Sequence, residues 1–203
     1  MKIICVGRNY ADHAKELKNE VPTVPVIFMK PKGAMLLPEK PLYYPEFTDD
    51  LHYECEVVVK ICKNGKYIQE KFAGKYYDEV TLGIDFTARD VQREQQKKGL
   101  PWEIAKAFDG SAAVGNFVSI TAETNVHNLA FQLHLNGRTV QDGHTRDFIF
   151  SVDQVIAYVS KFFTINIGDL IFTGTPAGVG PVNAGDKLEG ILQGNKVLEV
   201  EVK

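Results

Sequence analysis

The chain has 203 residues, 44% of them hydrophobic, so it can bury a sizeable core. Its net charge of −3 and pI near 6.0 argue against nucleic acid or an anionic membrane surface as partner, because both attract strongly basic proteins. No run approaches the roughly 18 apolar residues of a transmembrane helix, and the opening "MKIICVGRNYADH" turns polar too early for a signal peptide.

The cysteines Cys5, Cys55 and Cys62 are odd in number and form no Cys-x-x-Cys motif. This usage is typical of reduced thiols in the cytosol. The sequence therefore predicts a cytoplasmic protein.

The first part of the chain predicts short strands and one short helix. Residues 2–6 form an apolar strand, and residues 9–20 a helix with Asn9 as candidate cap. Residues 21–33 hold too much proline for a helix and are predicted as turn, strand and turn. A longer strand follows over residues 51–61, and Asn64-Gly65 predicts a hairpin into a second strand over residues 66–72.

The second part alternates strands with two helices. Residues 80–87 predict a strand, followed by a helix over 88–99 with Thr87 as candidate cap and Gly99 as its end. The remaining predicted elements are a hairpin around Asn136-Gly137, an amphipathic helix starting at Ser151 or Asp153, and strands over 169–180 and 187–202. Strands dominate and no stretch is typical of a linker. This pattern predicts one α+β domain, residues 1–203, that is mostly β.

The strand over residues 51–61 carries two carboxylates on one face. Glu54 and Glu56 lie two positions apart, roughly 7 Å along a strand, and Val58 follows them on the same face. A solvated face of an edge strand would explain two exposed glutamates, but Val58 argues against a simply wet face. A third carboxylate, Asp85, ends an apolar segment where a strand opens into a helix.

Three carboxylates that converge need a cation between them, or their pKa values rise. Ligation by oxygen alone favours Mg²⁺, Mn²⁺ or Ca²⁺ over zinc, because the sequence has no Cys/His cluster of zinc spacing. Spacing alone leaves both interpretations open.

Two pairs and one lysine are further candidates. His13 and Glu16 are three apart in a helix, as are Arg89 and Gln92, so each pair shares a helix face. Such pairs fit a solvated surface as well as a site, and Arg89 is the more typical surface residue. Lys106 stands among apolar residues, where a lysine by default reaches out to solvent.

Five segments together resemble the fumarylacetoacetate hydrolase family. They are "GRNYADH", "HYECE", "GIDFTARDVQ", "LPWEIAKAFD" and "TGTPAGVG", in that order, and the resemblance covers residues 2–202. Within the family, the chain is similar to the short acylpyruvase and oxaloacetate decarboxylase branch. The resemblance implies a mixed β-sandwich roll, a Mg²⁺ or Mn²⁺ site and a homodimer.

The resemblance also implies a role for each candidate residue. The metal ligands would be Glu54, Glu56 and Asp85. His13 would take a proton from water with Glu16 orienting it, and Lys106 would stabilise negative charge on the substrate. The residues expected to bind the substrate carboxylate and keto oxygen are Arg89, Gln92 and Thr175.

The implied activity is metal-dependent C–C bond cleavage in a 2-oxo acid through a pyruvate enolate. Acylpyruvate hydrolysis, oxaloacetate decarboxylation and oxaloacetate keto–enol tautomerisation can all proceed through that enolate. An alternative is an isomerase/decarboxylase or hydratase for the longer unsaturated oxo-diacids of aromatic degradation. A binding protein with a structural metal is a third interpretation, against which His13 and Glu16 argue, because a binder has no use for a water-activating pair.

Overall fold

The computed structural model describes residues 1–16 and 20–203 and shows a fold made mostly of strands. The strands are β1 (Ile3–Gly7), β2 (Val26–Lys30), β3 (Met35–Leu36), β4 (Leu51–Tyr53), β5 (Cys55–Ile61), β6 (Tyr77–Asp85), β7 (Thr87–Ala88), β8 (Ala112–Val114), β9 (Val118–Ser119), β10 (Ala130–Leu135), β11 (Arg138–His144), β12 (Leu170–Phe172), β13 (Gly180–Pro181), β14 (Lys187–Leu192) and β15 (Asn195–Glu201). The helices are α1 (Ala11–Glu16), α2 (Glu70–Ala73), α3 (Arg89–Lys98), α4 (Glu103–Lys106) and α5 (Val152–Phe162). Short 3₁₀ turns lie at Lys32–Ala34, Val126–Asn128 and Thr145–Asp147.

A mixed eight-stranded sheet forms the centre, in the order β2-β1-β12-β5-β6-β8-β3, with β9 also paired to β6. The pairs β1–β12 and β3–β8 are parallel, and the other pairs of this sheet are antiparallel. Two antiparallel sheets accompany it, one in the order β11-β10-β14-β15 and one in the order β13-β4-β7. The predicted α+β class with mostly β structure is confirmed.

The core lies between the eight-stranded sheet and the sheet of β10, β11, β14 and β15. Leu82 of β6 belongs to the same buried cluster as Leu133 and Leu188 from the second sheet. At Gly190 of β14, a Cβ atom would lie 3.1 Å from Leu82 Cδ1, so the missing side chain lets the two sheets approach. Val58, on the other face of β5, is buried in a second cluster with Phe172.

Several local signals are confirmed. Asn136 and Gly137 both have positive φ, 51° and 78°, which is the geometry of a type I′ hairpin turn between β10 and β11. Ser151 caps α5 in a capping box with Gln154, and Gly99 ends α3 with φ of 64°. Helix α1 confirms residues 11–16 of the helix predicted over residues 9–20, whereas Asn9, Tyr10 and Glu20 are not helical and residues 17–19 lie outside the described residues.

The hairpin predicted after Asn64-Gly65 is wrong. Strand β5 pairs antiparallel with β6 and β12, and residues 70–73 form α2 instead of a strand. Ile68 binds Ser160 of α5 through its backbone N–H, at 2.9 Å from Oγ, and its side chain is buried in the core. Packing on a distant helix therefore replaces the local hairpin.

Two predicted caps are also wrong, because both side chains bond elsewhere. The side-chain amide of Asn9 donates to the carbonyls of Phe150 and Thr173, and Thr87 donates to the carbonyl of Asp85. Helix α3 starts after Ala88 without a side-chain cap. The predicted strand over residues 169–180 is likewise interrupted, since β12 ends at Phe172 and a loop runs to β13.

None of the helices within residues 1–16 and 20–203 has the length and apolar character needed to cross a membrane. The three cysteines are free thiols, and burial raises the pKa of Cys5 and Cys55 above the usual range.

Candidate active site

Strand register brings the three predicted carboxylates together. Strands β5 and β6 pair antiparallel with Cys55 opposite Ile84, which sets Asp85 beside Glu54. The Asp85 N–H donates to the Glu54 carbonyl at 2.8 Å. One carboxylate oxygen each from Glu54, Glu56 and Asp85 lies within 4.8 Å of the others, and all three residues are at most 5% exposed.

The two glutamates differ in their electrostatic surroundings. Burial raises the pKa of Glu56 well above its usual range, and the Asp85 carboxylate adds to the rise. Burial by itself also raises the pKa of Glu54, but Lys106 and Arg89 outweigh it and hold that pKa well below the usual range. Glu56 accepts a hydrogen bond from the Gly174 N–H at 2.7 Å and forms no ion pair with the described residues. It is therefore the carboxylate of the cluster that has no ion-pair partner among the described residues.

Lys106 lies inside this cluster and does not reach out to solvent. Its Nζ donates to Glu54 Oε2 and to Asp85 Oδ2, both at 2.8 Å, and the residue is 4% exposed. Burial alone lowers the pKa of Lys106, but Asp85 and then Glu54 outweigh it, so the pKa is raised and the ammonium stays charged. An ammonium has three N–H donors, so one remains for another acceptor.

A second buried lysine, Lys30 at the end of β2, was missed by the sequence analysis. Its Nζ lies 2.6 Å from Asp85 Oδ1 and binds the backbone carbonyls of Lys106 and Ser111. The residue is 1% exposed. The sequence signal for Lys30 was a lysine at the end of an apolar strand, just before Pro31. This signal is weak, because a lysine there is usually exposed.

Arg89 and Gln92 both face inward from the first turns of α3. Arg89 lies 2.5 Å from Glu54 Oε1 through Nη2 and 2.6 Å from Gln92 Oε1 through Nη1. Both residues are buried, so the surface interpretation of Arg89 is wrong. The third nitrogen, Arg89 Nε, is buried without a hydrogen-bond partner among the described residues.

His13 and Glu16 form the predicted pair on α1. His13 Nδ1 lies 3.2 Å from Glu16 Oε2, and His13 is 4% exposed. The Gly178 N–H donates to Glu16 Oε1 at 3.1 Å. This contact ties the helix to the loop between β12 and β13.

The same loop presents Thr175 to the site. Its Oγ1 accepts a hydrogen bond from Gln141 Nε2 at 2.8 Å, which leaves the hydroxyl hydrogen free to donate elsewhere. Gln141 of β11 also accepts from the Cys55 N–H and donates to the Pro176 carbonyl. This buried glutamine was missed, because it stands in a hairpin strand and only its long-range contacts single it out.

Eight of the nine predicted site residues line one cavity of about 40 Å³. The ninth, Glu16, contacts His13, which lines it. Those that line it directly are His13, Glu54, Glu56, Asp85, Arg89, Gln92, Lys106 and Thr175. Further lining residues are Val6, Gly7, Arg8, Phe28, Gln96 and Trp102. Three buried carboxylates, one without a cation, form an all-oxygen donor set that suits a divalent metal such as Mg²⁺ or Mn²⁺.

Comparisons with known proteins find a matching family model, similar chains and similar solved structures. A family model described as fumarylacetoacetate (FAA) hydrolase, C-terminal, matches residues 2–203. The chain is 43% identical over 201 residues to the bovine mitochondrial oxaloacetate tautomerase FAHD1, covering 99% of this chain and 90% of that protein. It is 40% identical over 197 residues to the oxaloacetate tautomerase YcgM of Escherichia coli, covering 97% and 90%.

A solved structure shares the whole fold. The fumarylpyruvate hydrolase of Pseudomonas aeruginosa, crystallised in complex with Mn²⁺ and pyruvate, superposes with a TM-score of 0.94 at 37% identity. The match covers 100% of this chain and 89% of that one.

Proposed function

The chain belongs to the fumarylacetoacetate hydrolase C-terminal family, and on that premise we propose that it is an enzyme acting on small 2-oxo acids through an enolate. The first reaction we assign is keto–enol tautomerisation of oxaloacetate, which the names of its relatives support. The observation that carries the proposal is the charged Lys106 ammonium, held between Glu54 and Asp85 at the wall of a buried cavity. A fixed cation there stabilises negative charge as it develops on a substrate oxygen.

Glu54, Glu56 and Asp85 would hold Mg²⁺ or Mn²⁺. A divalent ion bound by these oxygens supplies a Lewis acid for the oxygens of the 2-oxo acid. Glu56 supports this assignment, because its buried carboxylate has no cation of its own within the described residues.

The substrate is bound by donors that the fold leaves free. Arg89, Gln92 and Thr175 line the cavity, and we assign them to bind the carboxylate next to the keto group. The third N–H of Lys106 donates to the 2-keto oxygen, where the negative charge of the enolate collects.

His13 moves the proton. In tautomerisation it takes a proton from C3 and the keto oxygen gains one, with the Glu16 carboxylate orienting the imidazole through Nδ1. The buried position of His13 at the cavity supports this role.

C–C bond cleavage of acylpyruvates is the second candidate reaction, and the His13–Glu16 pair favours it. His13 would take a proton from the water that attacks the distal carbonyl, and the departing pyruvate would leave as its enolate. Loss of carbon dioxide from oxaloacetate gives the same enolate without any attacking water. The three reactions therefore share Lys106 and differ in their need for His13.

The proposed function is tested with Lys106→Met. The purified, Mg²⁺- or Mn²⁺-loaded protein is assayed for oxaloacetate tautomerisation by the absorbance of the enol, and against acetylpyruvate, fumarylpyruvate and longer unsaturated oxo-diacids. We expect Lys106→Met to lower turnover of every accepted substrate by about 10²–10³-fold, the usual loss for one such donor. Lys66→Met, which removes an exposed lysine bound to the Phe162 carbonyl, is the control. A native rate in Lys106→Met would refute the enolate proposal, and activity on the longer diacids alone would favour the isomerase or hydratase alternative.

The homodimer and the cytoplasmic location stay predictions. Sedimentation of the purified protein tests the first, and imaging of the tagged protein in its own cell tests the second.

A further inference from the structure

Arg8 occupies a strained position at the edge of the site. It follows β1 in the segment "GRNYADH" and has φ of 60°, a left-handed conformation that favours glycine. The next residue, Asn9, is fully buried and holds the turn: its side chain donates to the carbonyls of Phe150 and Thr173 and accepts from the Phe150 N–H. Backbone strain that the surrounding structure maintains is often found where a side chain has a functional task.

Arg8 is one of the residues that line the cavity together with the carboxylate cluster. Two other cations line the same cavity, and both are already engaged: Arg89 pairs with Glu54, and Lys106 pairs with Glu54 and Asp85. Arg8 forms no ion pair or side-chain hydrogen bond within residues 1–16 and 20–203. Of the three cations that line this cavity, the Arg8 guanidinium is thus the one without a counter-charge among the described residues.

We infer that Arg8 binds the second carboxylate of a dicarboxylic 2-oxo acid, an inference that rests on the proposed function. The first carboxylate has its own donors in Arg89, Gln92 and Thr175, so it does not need Arg8. A guanidinium matches a carboxylate with two parallel N–H donors, which makes arginine well suited to this task. A monoacid of the same length offers nothing to Arg8, so the interaction selects diacids.

The variant Arg8→Gly tests this inference. Glycine adopts positive φ without steric strain, so the substitution removes the guanidinium and relieves the backbone at the same time. Glu39→Gly is the matched control, because Glu39 is exposed, charged, has φ of 66° and does not line the cavity. Both variants are expected to keep the melting temperature, because relief of the left-handed backbone offsets the larger unfolded-state entropy of glycine.

The kinetic experiment compares fumarylpyruvate, a diacid, with acetylpyruvate, a monoacid. In Arg8→Gly the kcat/KM for the diacid should fall by about 10- to 100-fold more than that for the monoacid, the usual size of a charge-assisted hydrogen bond. Arg8→Lys should recover part of the difference, since it keeps the charge and loses the fork. Glu39→Gly should leave the ratio at its native value. An unchanged ratio in Arg8→Gly overturns the inference.

A binding measurement separates this inference from the proposed function. Calorimetry of the Mn²⁺-loaded protein with 2-oxoglutarate and with 2-oxopentanoate compares a diacid and a monoacid of equal chain length without any turnover. Native protein should bind the diacid more tightly, and Arg8→Gly should lose that preference. If the preference persists in the variant, Arg8 does not bind the second carboxylate, whether or not the enzyme turns over any substrate. If the preference is lost while no substrate is turned over, the proposed reaction fails and the assignment of Arg8 stands.

Discussion

The ammonium of Lys30 lies 2.6 Å from Oδ1 of Asp85, and neither side chain is more than 1% exposed. Lys30 also binds the carbonyls of Lys106 and Ser111, so one buried cation fixes both a proposed metal ligand and the backbone of the proposed catalytic lysine. This pair is costly to break, because Lys106 binds only Oδ2 of Asp85, so Oδ1 would stay buried without its cation.

We expect Lys30→Met to destabilise the protein by about 3–5 kcal/mol, the range measured when one partner of a buried pair is removed. The matched control is Lys60→Met, which breaks the partly exposed Lys60–Glu79 pair, with side chains 40% and 31% exposed. That change should cost at most about 1 kcal/mol. Urea unfolding of the three proteins measures both values, and equal losses would show that burial does not strengthen the Lys30 contact.

Glu56→Ala should weaken metal binding without unfolding the protein. Glu56 has no ion pair within the described chain, so its removal leaves the pairs of Glu54 and Asp85 in place and relieves repulsion in the metal-free protein. Isothermal titration with Mg²⁺ and Mn²⁺ gives the affinity, and thermal unfolding gives the stability. Undiminished binding in Glu56→Ala would remove Glu56 from the proposed ligand set.

The metal-free protein should lose stability as pH rises above about 4.5, the ordinary pKa of a glutamate. Burial and the Asp85 carboxylate raise the pKa of Glu56 in the folded state, so between the two pKa values the folded protein binds more protons than the unfolded one. Stability then falls with rising pH across that window, and the fall ends above the raised pKa.

Unfolding of metal-free protein across this pH range measures the effect, with Glu56→Gln as the control that cannot titrate. The pH dependence of stability assigned to Glu56 is the difference between the slopes of the native protein and Glu56→Gln. Identical curves would mean that Glu56 does not titrate with a raised pKa.

His13→Ala should separate the proposed reactions. Acylpyruvate hydrolysis needs an activated water, so it should fall by about 10²–10⁴-fold, the usual contribution of a general base. Oxaloacetate decarboxylation needs only stabilisation of the enolate, so it should fall much less. Glu16→Ala should show the same pattern more mildly, because Glu16 orients the imidazole through a 3.2 Å contact.

Both reactions are measured on one preparation of each variant, which cancels differences in folding and metal loading. Equal losses in the two reactions would show that His13 binds substrate or closes the site, and water activation would have to be abandoned.

Local patterns in the sequence determined the elements whose causes are local. The Asn136-Gly137 turn, the Ser151 cap and the Gly99 helix end follow from the conformations that these residues prefer within a few positions of the chain. The candidate residues of the site came from motif segments, and the resemblance that those segments carry gave their roles.

The tertiary structure decided which distant groups meet. The register of β5 against β6 places Asp85 beside Glu54, and β2 brings in Lys30 as a buried cation that no local pattern marks. Residues 64–72 carry a good hairpin signal, yet they pack on α5, since burying Ile68 against that helix outweighs a local turn preference. Sequence periodicity reports which face of an element is apolar, but the partner of that face is chosen by how well the whole chain buries its apolar surface and satisfies its buried polar groups.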